Sequence, residues 1–163
     1  LGVNRALAWL LSTYKIKDEC LIIAGDNFFT CSLKPIIDFF KKKNRKPVIA
    51  VYKVRDPKIA KHFSVVELSR GGKIVNFVEK PKNPRLLTVG TGIYVMPKNI
   101  LPLITEFTTV SKDRDSMGNF IQWLYGQVPV YGYVLEGYWM DVGTPQTYKE
   151  AKQALLKSLK NLD

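Results

Sequence analysis

Cysteine and histidine are scarce in this chain: two cysteines, Cys20 and Cys31, and a single histidine, His62, among 163 residues. With no C-x-x-C spacing and no secretory signal at the start, a lone cysteine pair argues for a reducing compartment, and a cytoplasmic location is expected. Long apolar runs are also missing. None approaches the roughly 20 residues that a membrane-spanning helix needs, so no membrane partner is expected. Linkers, internal repeats and low-complexity tracts are absent. Acidic residues are few as well, 14 against 25 Lys and Arg, for a formal net charge of +11. Such a balance attracts polyanions, whether nucleic acid, phosphates or anionic membrane, without choosing among them.

What is present suits a packed core. Apolar residues make up 46%, with eight Phe, eight Tyr and three Trp, enough to offset ordering entropy and to exclude disorder, collagen and coiled coil. The length corresponds to about one domain, taken as residues 1–163. The chain opens on Leu1 rather than Met and enters a helical pattern almost at once, so a fragment or a processed start is expected.

Leu7, Leu10, Leu11 and Tyr14 recur at helical spacing, and the run Cys20 to Ala24 reads as a buried strand. Ser32 and Pro35 open a second helix with Ile36, Ile37, Phe39 and Phe40 as its stripe, followed by the basic run Lys41 to Lys46. Val48 to Val54 is a strand, and Phe63 to Leu68 and Lys73 to Val78 flank Arg70-Gly71-Gly72 as a hairpin. Val89 to Met96 is a further strand interrupted by Gly90 and Gly92. Helices are expected over Pro97 to Ile104 and Ser116 to Tyr125, a strand over Val128 to Leu135, and a last helix from Thr144-Pro145 to about Lys160. The alternation indicates a layered α/β fold around a mixed sheet, largely parallel with one antiparallel insertion.

Three stretches can carry chemistry. Cys20 to Ala24 leads into Gly25-Asp26-Asn27, an acid at the carboxyl end of a strand, where open α/β sheets bind ligands. In Gly137-Tyr138-Trp139-Met140-Asp141-Val142-Gly143-Thr144-Pro145 a second carboxylate stands just before a helix start. Two carboxylates about 4 Å apart repel by roughly 4 kcal/mol at an effective dielectric of about 20, so such a pair stays ionised only around a cation. Mg²⁺ suits an all-oxygen site that keeps waters and phosphate oxygens. Glu79-Lys80-Pro81 presents an acid beside a base, which share a ligand only if the strand ends there and twists. Singly, each motif also fits an ordinary turn, a helix-terminal charge or a surface pair.

Taken in order, Gly25-Asp26-Asn27-Phe28-Phe29, Phe63-Ser64-Val65-Val66-Glu67, Glu79-Lys80-Pro81, Gly90-Thr91-Gly92-Ile93-Tyr94 and Tyr138 to Pro145 resemble the sugar-1-phosphate nucleotidylyltransferases, glucose-1-phosphate thymidylyltransferase most of all. The resemblance implies a three-layer Rossmann-like nucleotide-diphospho-sugar transferase fold with a mixed sheet, truncated at its N-terminus. It implies transfer between a nucleoside triphosphate, dTTP or UTP, and a hexose-1-phosphate such as glucose-1-phosphate, with release of pyrophosphate. By the same resemblance Asp26 and Asp141 bind Mg²⁺, Glu79 meets sugar hydroxyls and Lys80 the sugar phosphate. Gly92 lies against the ring, Trp139 walls the pocket, Asn27 belongs to the binding set, and Gly2 contacts the nucleotide base. Asp26, Lys80 and Asp141 form the catalytic group.

The departures from that pattern are specific. No strand with a glycine-rich, triphosphate-gripping loop and following arginine is found, Ser64 stands where the family usually has glycine, and Arg114 is only a weak match to a later phosphate-binding residue. Weak or no turnover by the chain alone is therefore expected, along with self-association or pairing with a missing segment. A non-catalytic pyrophosphorylase-like regulatory subunit is the alternative, although both metal acids are retained. No nucleic-acid partner is expected, because Lys41 to Lys46 follows a helix end, where cations complement the dipole, and lacks interleaved aromatics. His62 is expected at the surface or pocket wall.

Overall fold

Local signals place most elements, and the chain builds them in alternation. A computed structural model describes residues 2–110 and 115–160; Leu1 and Arg114 fall outside the described residues. The elements are α1 (Val3–Thr13), β1 (Cys20–Ile23), β2 (Asn27–Phe29), α2 (Lys34–Lys42), β3 (Val48–Lys53), α3 (Pro57–Ala60), β4 (Val65–Leu68), β5 (Ile74–Val78), β6 (Thr88–Met96), α4 (Leu101–Val110), α5 (Met117–Leu124), β7 (Tyr131–Val134), β8 (Trp139–Asp141) and α6 (Pro145–Lys160).

Helix starts follow side-chain chemistry. Ser116 caps α5 by accepting from Asn119 N, and Asp56 caps α3 by accepting from Lys58 N at 2.8 Å. Thr144 and Thr147 exchange backbone-to-hydroxyl bonds at 3.0 and 3.1 Å at the head of α6. Lys41 and Lys42 lie in the last turn of α2, where they complement its dipole. Beyond it, Lys43 sits over the rings of Phe39 and Tyr131, and Arg45 pairs with Glu19 at 2.6 Å. Three roles in local structure thus engage four of the basic run's cations.

The main sheet runs β5-β4-β6-β3-β7, with β1 also on β6. Period-2 alternation sends neighbouring residues of β3 to opposite faces. Ile49 and Val51 join Met96, Ile104, Phe107, Phe120 and Leu124 under α1, α4 and α5. Val48 and Ala50 join Val89, Ile93, Trp139, Ile36 and Phe40 on the α2 side. Helices on both faces of one mixed sheet make three layers. At its far margin the sheet nearly closes, because Ile74 N donates to Val130 O at 2.9 Å and Gly132 N to Gly72 O at 2.8 Å.

Several expectations need correction. The sheet is mainly antiparallel, and among the described strand pairs only β3 with β7 is parallel, because the helices do not connect sheet neighbours in chain order. β1 is not fully buried: among the described residues it pairs only with β6, on one edge, and Leu21 and Ile23 stay 40% and 41% exposed. Such an edge invites association. α4 begins at Leu101 rather than Pro97; Pro97 is buried just past β6, and Pro102 takes the first-turn position. β2, β8 as its partner, and α3 have no counterpart in the sequence reading. No helix among the described residues is long and apolar enough to cross a membrane.

Phe120 is fully buried and meets the rings of Phe107 and Trp123. Phe120→Ala is expected to cost about 3–5 kcal/mol in denaturant unfolding. Val110→Ala, at a site 65% exposed, should stay within about 0.5 kcal/mol of the wild type.

Candidate active site

β6 carries β3 along one edge, while its other edge is divided. β4 pairs at Val65 with Val89, and β1 pairs from Ile23 with Ile93 onward. Between them lie Gly90, Thr91 and Gly92. Ser64 O accepts from Gly90 N at 2.9 Å and Ala24 N donates to Gly92 O at 2.9 Å, so two chain segments peel away from one strand at this split. A cavity of about 500 Å³ opens there, lined by Asp26, His62, Phe63, Ser64, Glu79, Lys80, Gly90, Gly92, Tyr94, Ser116, Gly118 and Asp141, among others. A larger hollow of about 670 Å³ around Arg70–Gly72 holds none of the predicted site residues.

The acids meet through the short ribbon of β2 and β8, in which Asn27 faces Asp141. Val142 N donates to Asp26 O at 2.8 Å, tying the second acid's loop to the first acid's backbone. Asn27 stiffens the ribbon: its Nδ2 donates to Ala24 O at 3.1 Å and its Oδ1 accepts from Trp139 Nε1 at 2.5 Å. Trp139 is 6% exposed and packs against Tyr52 and Phe63 at 5.5 and 5.4 Å.

Glu79 and Lys80 face one cavity because the strand's alternation breaks between them. β5 ends at Val78, and Lys80 has φ +44°. That conformation is unfavourable for a side-chain-bearing residue, and more so before proline. Strain of this kind is held only where surrounding contacts over-determine it. Gly92, at φ +81°, answers a similar demand, since a Cβ there would come 3.1 Å from both Ala24 Cβ and Asn27 Nδ2.

Burial raises the Asp141 carboxyl above its ordinary value of 3.8, and the charge of Asp26 raises it further, while the Gly143 N–H and Lys80 oppose the shift. Tyr94 is pushed well above its usual range, chiefly by burial and then by Glu79 and Asp26, so its hydroxyl stays a neutral donor beside two acids. Among the described residues no group of three or more His, Cys, Asp and Glu could hold a metal. A carboxyl raised by the charge of a neighbouring carboxylate fits a hard divalent ion that keeps water or phosphate oxygens. It does not fit a closed structural site.

Five of the eight predicted site residues line this cavity: Asp26, Glu79, Lys80, Gly92 and Asp141. The other three do not. Trp139 is core beneath the site rather than a wall, because its indole N–H is spent on Asn27; Asn27 in turn is a brace for the ribbon. Gly2 is the N-cap residue of α1, where a Cβ would meet the side chain of Asp115. His62 is exposed and lines the cavity, as expected. The sequence reading missed Tyr94, whose signal is period 2 from Gly90 and Gly92, and it missed Ser116 and Gly118, which local sequence does not mark.

A paired-acid cleft with an adjacent Glu-Lys thus lies at a split in a mixed α/β sheet. The chain belongs to the nucleotidyl transferase family, whose profile matches residues 1–158. It is 36% identical over 143 residues to a glucose-1-phosphate adenylyltransferase of Thermomicrobium roseum, covering 85% of this chain and 33% of that protein. It is 32% identical over 144 residues to the bifunctional protein GlmU of Methanocaldococcus jannaschii, covering 88% and 33%. The chain thus spans about a third of the length of these relatives. A putative glucose-1-phosphate thymidylyltransferase from Bacillus anthracis shares the fold at TM-score 0.78 and 23% identity, over 94% of this chain and 60% of that one.

The raised Asp141 carboxyl implies a definite pH dependence. A group raised in the fold favours folding when protonated, so its contribution is complete below about 3.8 and is lost as pH rises through the folded value. Without metal at neutral pH, Asp141→Asn is expected to melt at or above the wild-type temperature, and this difference should shrink as pH falls towards 3.8. Magnesium chloride should raise the wild-type Tm and leave that of the variant unmoved in thermal-shift measurements.

Proposed function

We propose that this chain binds a hexose-1-phosphate, glucose-1-phosphate first of all, and serves its coupling to the nucleotidyl unit of dTTP or UTP with release of pyrophosphate. The observation that carries this reading is the convergence of Glu79, Lys80, Asp26 and Asp141 on one cavity floored by Gly90 and Gly92. The names of the adenylyltransferase and thymidylyltransferase relatives differ in nucleotide yet share glucose-1-phosphate. That common part supports the choice of sugar phosphate, and it makes ATP the third nucleotide to test.

In the proposed reaction an oxygen of the sugar phosphate attacks the α-phosphorus in line. A new O–P bond forms as the bond to the bridging oxygen of the β-phosphate breaks, and pyrophosphate leaves with that electron pair. The protein's task is to hold two repelling polyanions in line. Lys80 offsets the charge of the sugar phosphate, Glu79 accepts from ring hydroxyls, and Gly90 and Gly92 allow the ring to approach the backbone. Tyr94 offers a neutral O–H. Asp26 and Asp141 would hold Mg²⁺, which when bound supplies positive charge to the phosphate oxygens.

Lys80→Met keeps the strained backbone and removes only the charge. Calorimetric titration is expected to show glucose-1-phosphate affinity reduced about tenfold or more by this change. Pyrophosphate release, assayed with glucose-1-phosphate and each of dTTP, UTP and ATP, should fall in parallel wherever the wild type shows turnover. Equal affinity of the wild type for glucose-1-phosphate and glucose would overturn the sugar-phosphate reading.

A further inference from the structure

Glu79 is held with unusual completeness for a half-buried carboxylate. Ser64 Oγ donates to Oε2, and Ser116 Oγ donates to Oε1 at 2.8 Å. The Glu79 backbone N–H donates to Gln122 Oε1 at 2.8 Å. Gly118 lies so close to the carboxylate that any Cβ there would overlap it. The two serines are themselves fixed by different elements. Ser64 is bound through its carbonyl to Gly90 of β6. Ser116 caps α5, and its carbonyl accepts from the buried Asn4 Nδ2 of α1 at 2.8 Å.

We propose that Ser64 and Ser116 are positioning residues that orient the Glu79 carboxylate for two neighbouring hydroxyls of the sugar, an inference that rests on the sugar-phosphate reading above. A carboxylate offers about four acceptor sites. One hydroxyl on each oxygen leaves one site per oxygen for a ligand. Because both donors are neutral, the negative charge is left to strengthen the ligand's hydrogen bonds, whereas an arginine would occupy both oxygens and cancel it. Fixing the carboxylate before the ligand arrives removes the ordering cost from binding. It also makes the site selective, since a sugar with one of the two hydroxyls inverted meets an acceptor that cannot turn to follow it.

Ser64→Ala is expected to weaken glucose-1-phosphate about tenfold in calorimetric titration, to leave inorganic phosphate unchanged, and to narrow the preference for glucose-1-phosphate over galactose-1-phosphate. Ser64→Thr, which keeps the hydroxyl, should recover most of the loss. In a Glu79→Gln background the Ser64→Ala change should add little, because the serine acts through Glu79. A full additional loss there would mean a merely structural role and overturn the proposal. In ligand-free protein the ¹³C carboxyl resonance of Glu79 should move with Ser64→Ala and with Ser116→Ala, but not with Thr109→Ala on the exposed face of α4. An unmoved resonance defeats the positioning role whatever the ligand. A wild type that binds glucose-1-phosphate no better than inorganic phosphate, with the resonance still moving, defeats the sugar reading and the sugar role of the two serines, and leaves only their hold on Glu79.

Discussion

Among the described residues strand β6 is not paired continuously on both edges, and the site depends on that break. β3 follows it on one side; on the other, β4 and β1 each take one end. The interval between them is Gly90 to Gly92, where the neighbouring chains hold on through single backbone bonds from Ser64 and Ala24. Ligand clefts in α/β proteins form where neighbouring connections diverge in this way, because the divergence leaves a crevice lined by strand ends. Here the crevice receives Asp26 from beyond β1, Ser64 from before β4, and Glu79 and Lys80 from beyond β5.

Electrostatics sharpen what the backbone arranges. The chain is strongly basic overall, with a formal charge of +11, yet four acids line or border the cavity: Asp26, Glu79, Asp115 and Asp141. Asp141 is disfavoured as an anion by burial and by Asp26, while Glu79 is compensated by neutral hydroxyls. The two carboxyl environments therefore differ in kind. In the pair, Lys80 only partly offsets the repulsion and a cation can supply the rest, while the other acid is already solvated by the protein.

Much of this was legible in the sequence. Ser116 and Thr144-Pro145 marked helix starts, Arg70-Gly71-Gly72 marked the hairpin, and ordered motifs pointed to the acids and to Glu79-Lys80. Interactions across long stretches of chain were not legible. The resemblance assigned Asn27 and Trp139 to the ligand, and it could not show that their side chains meet each other across 112 residues. Ser64 and Ser116 reach Glu79 across 15 and 37 residues, and nothing in their local sequence marks a destination. Which strand carries an open edge was not legible either, since an apolar run such as that of β1 looks the same whether one edge or two are satisfied.

Local conformation and residue chemistry are properties of short segments, and these the sequence determined by itself: where the helices headed by Ser116 and Thr144 begin, which residues are acids, and where a lysine precedes a proline. Tertiary structure alone decided which strands share β6, that Lys80 turns to φ +44° to join Glu79 in one cavity, and that two serines from separate elements close on one carboxylate. Those outcomes depend on register and on packing between segments far apart in the chain, which act only once the layers have come together.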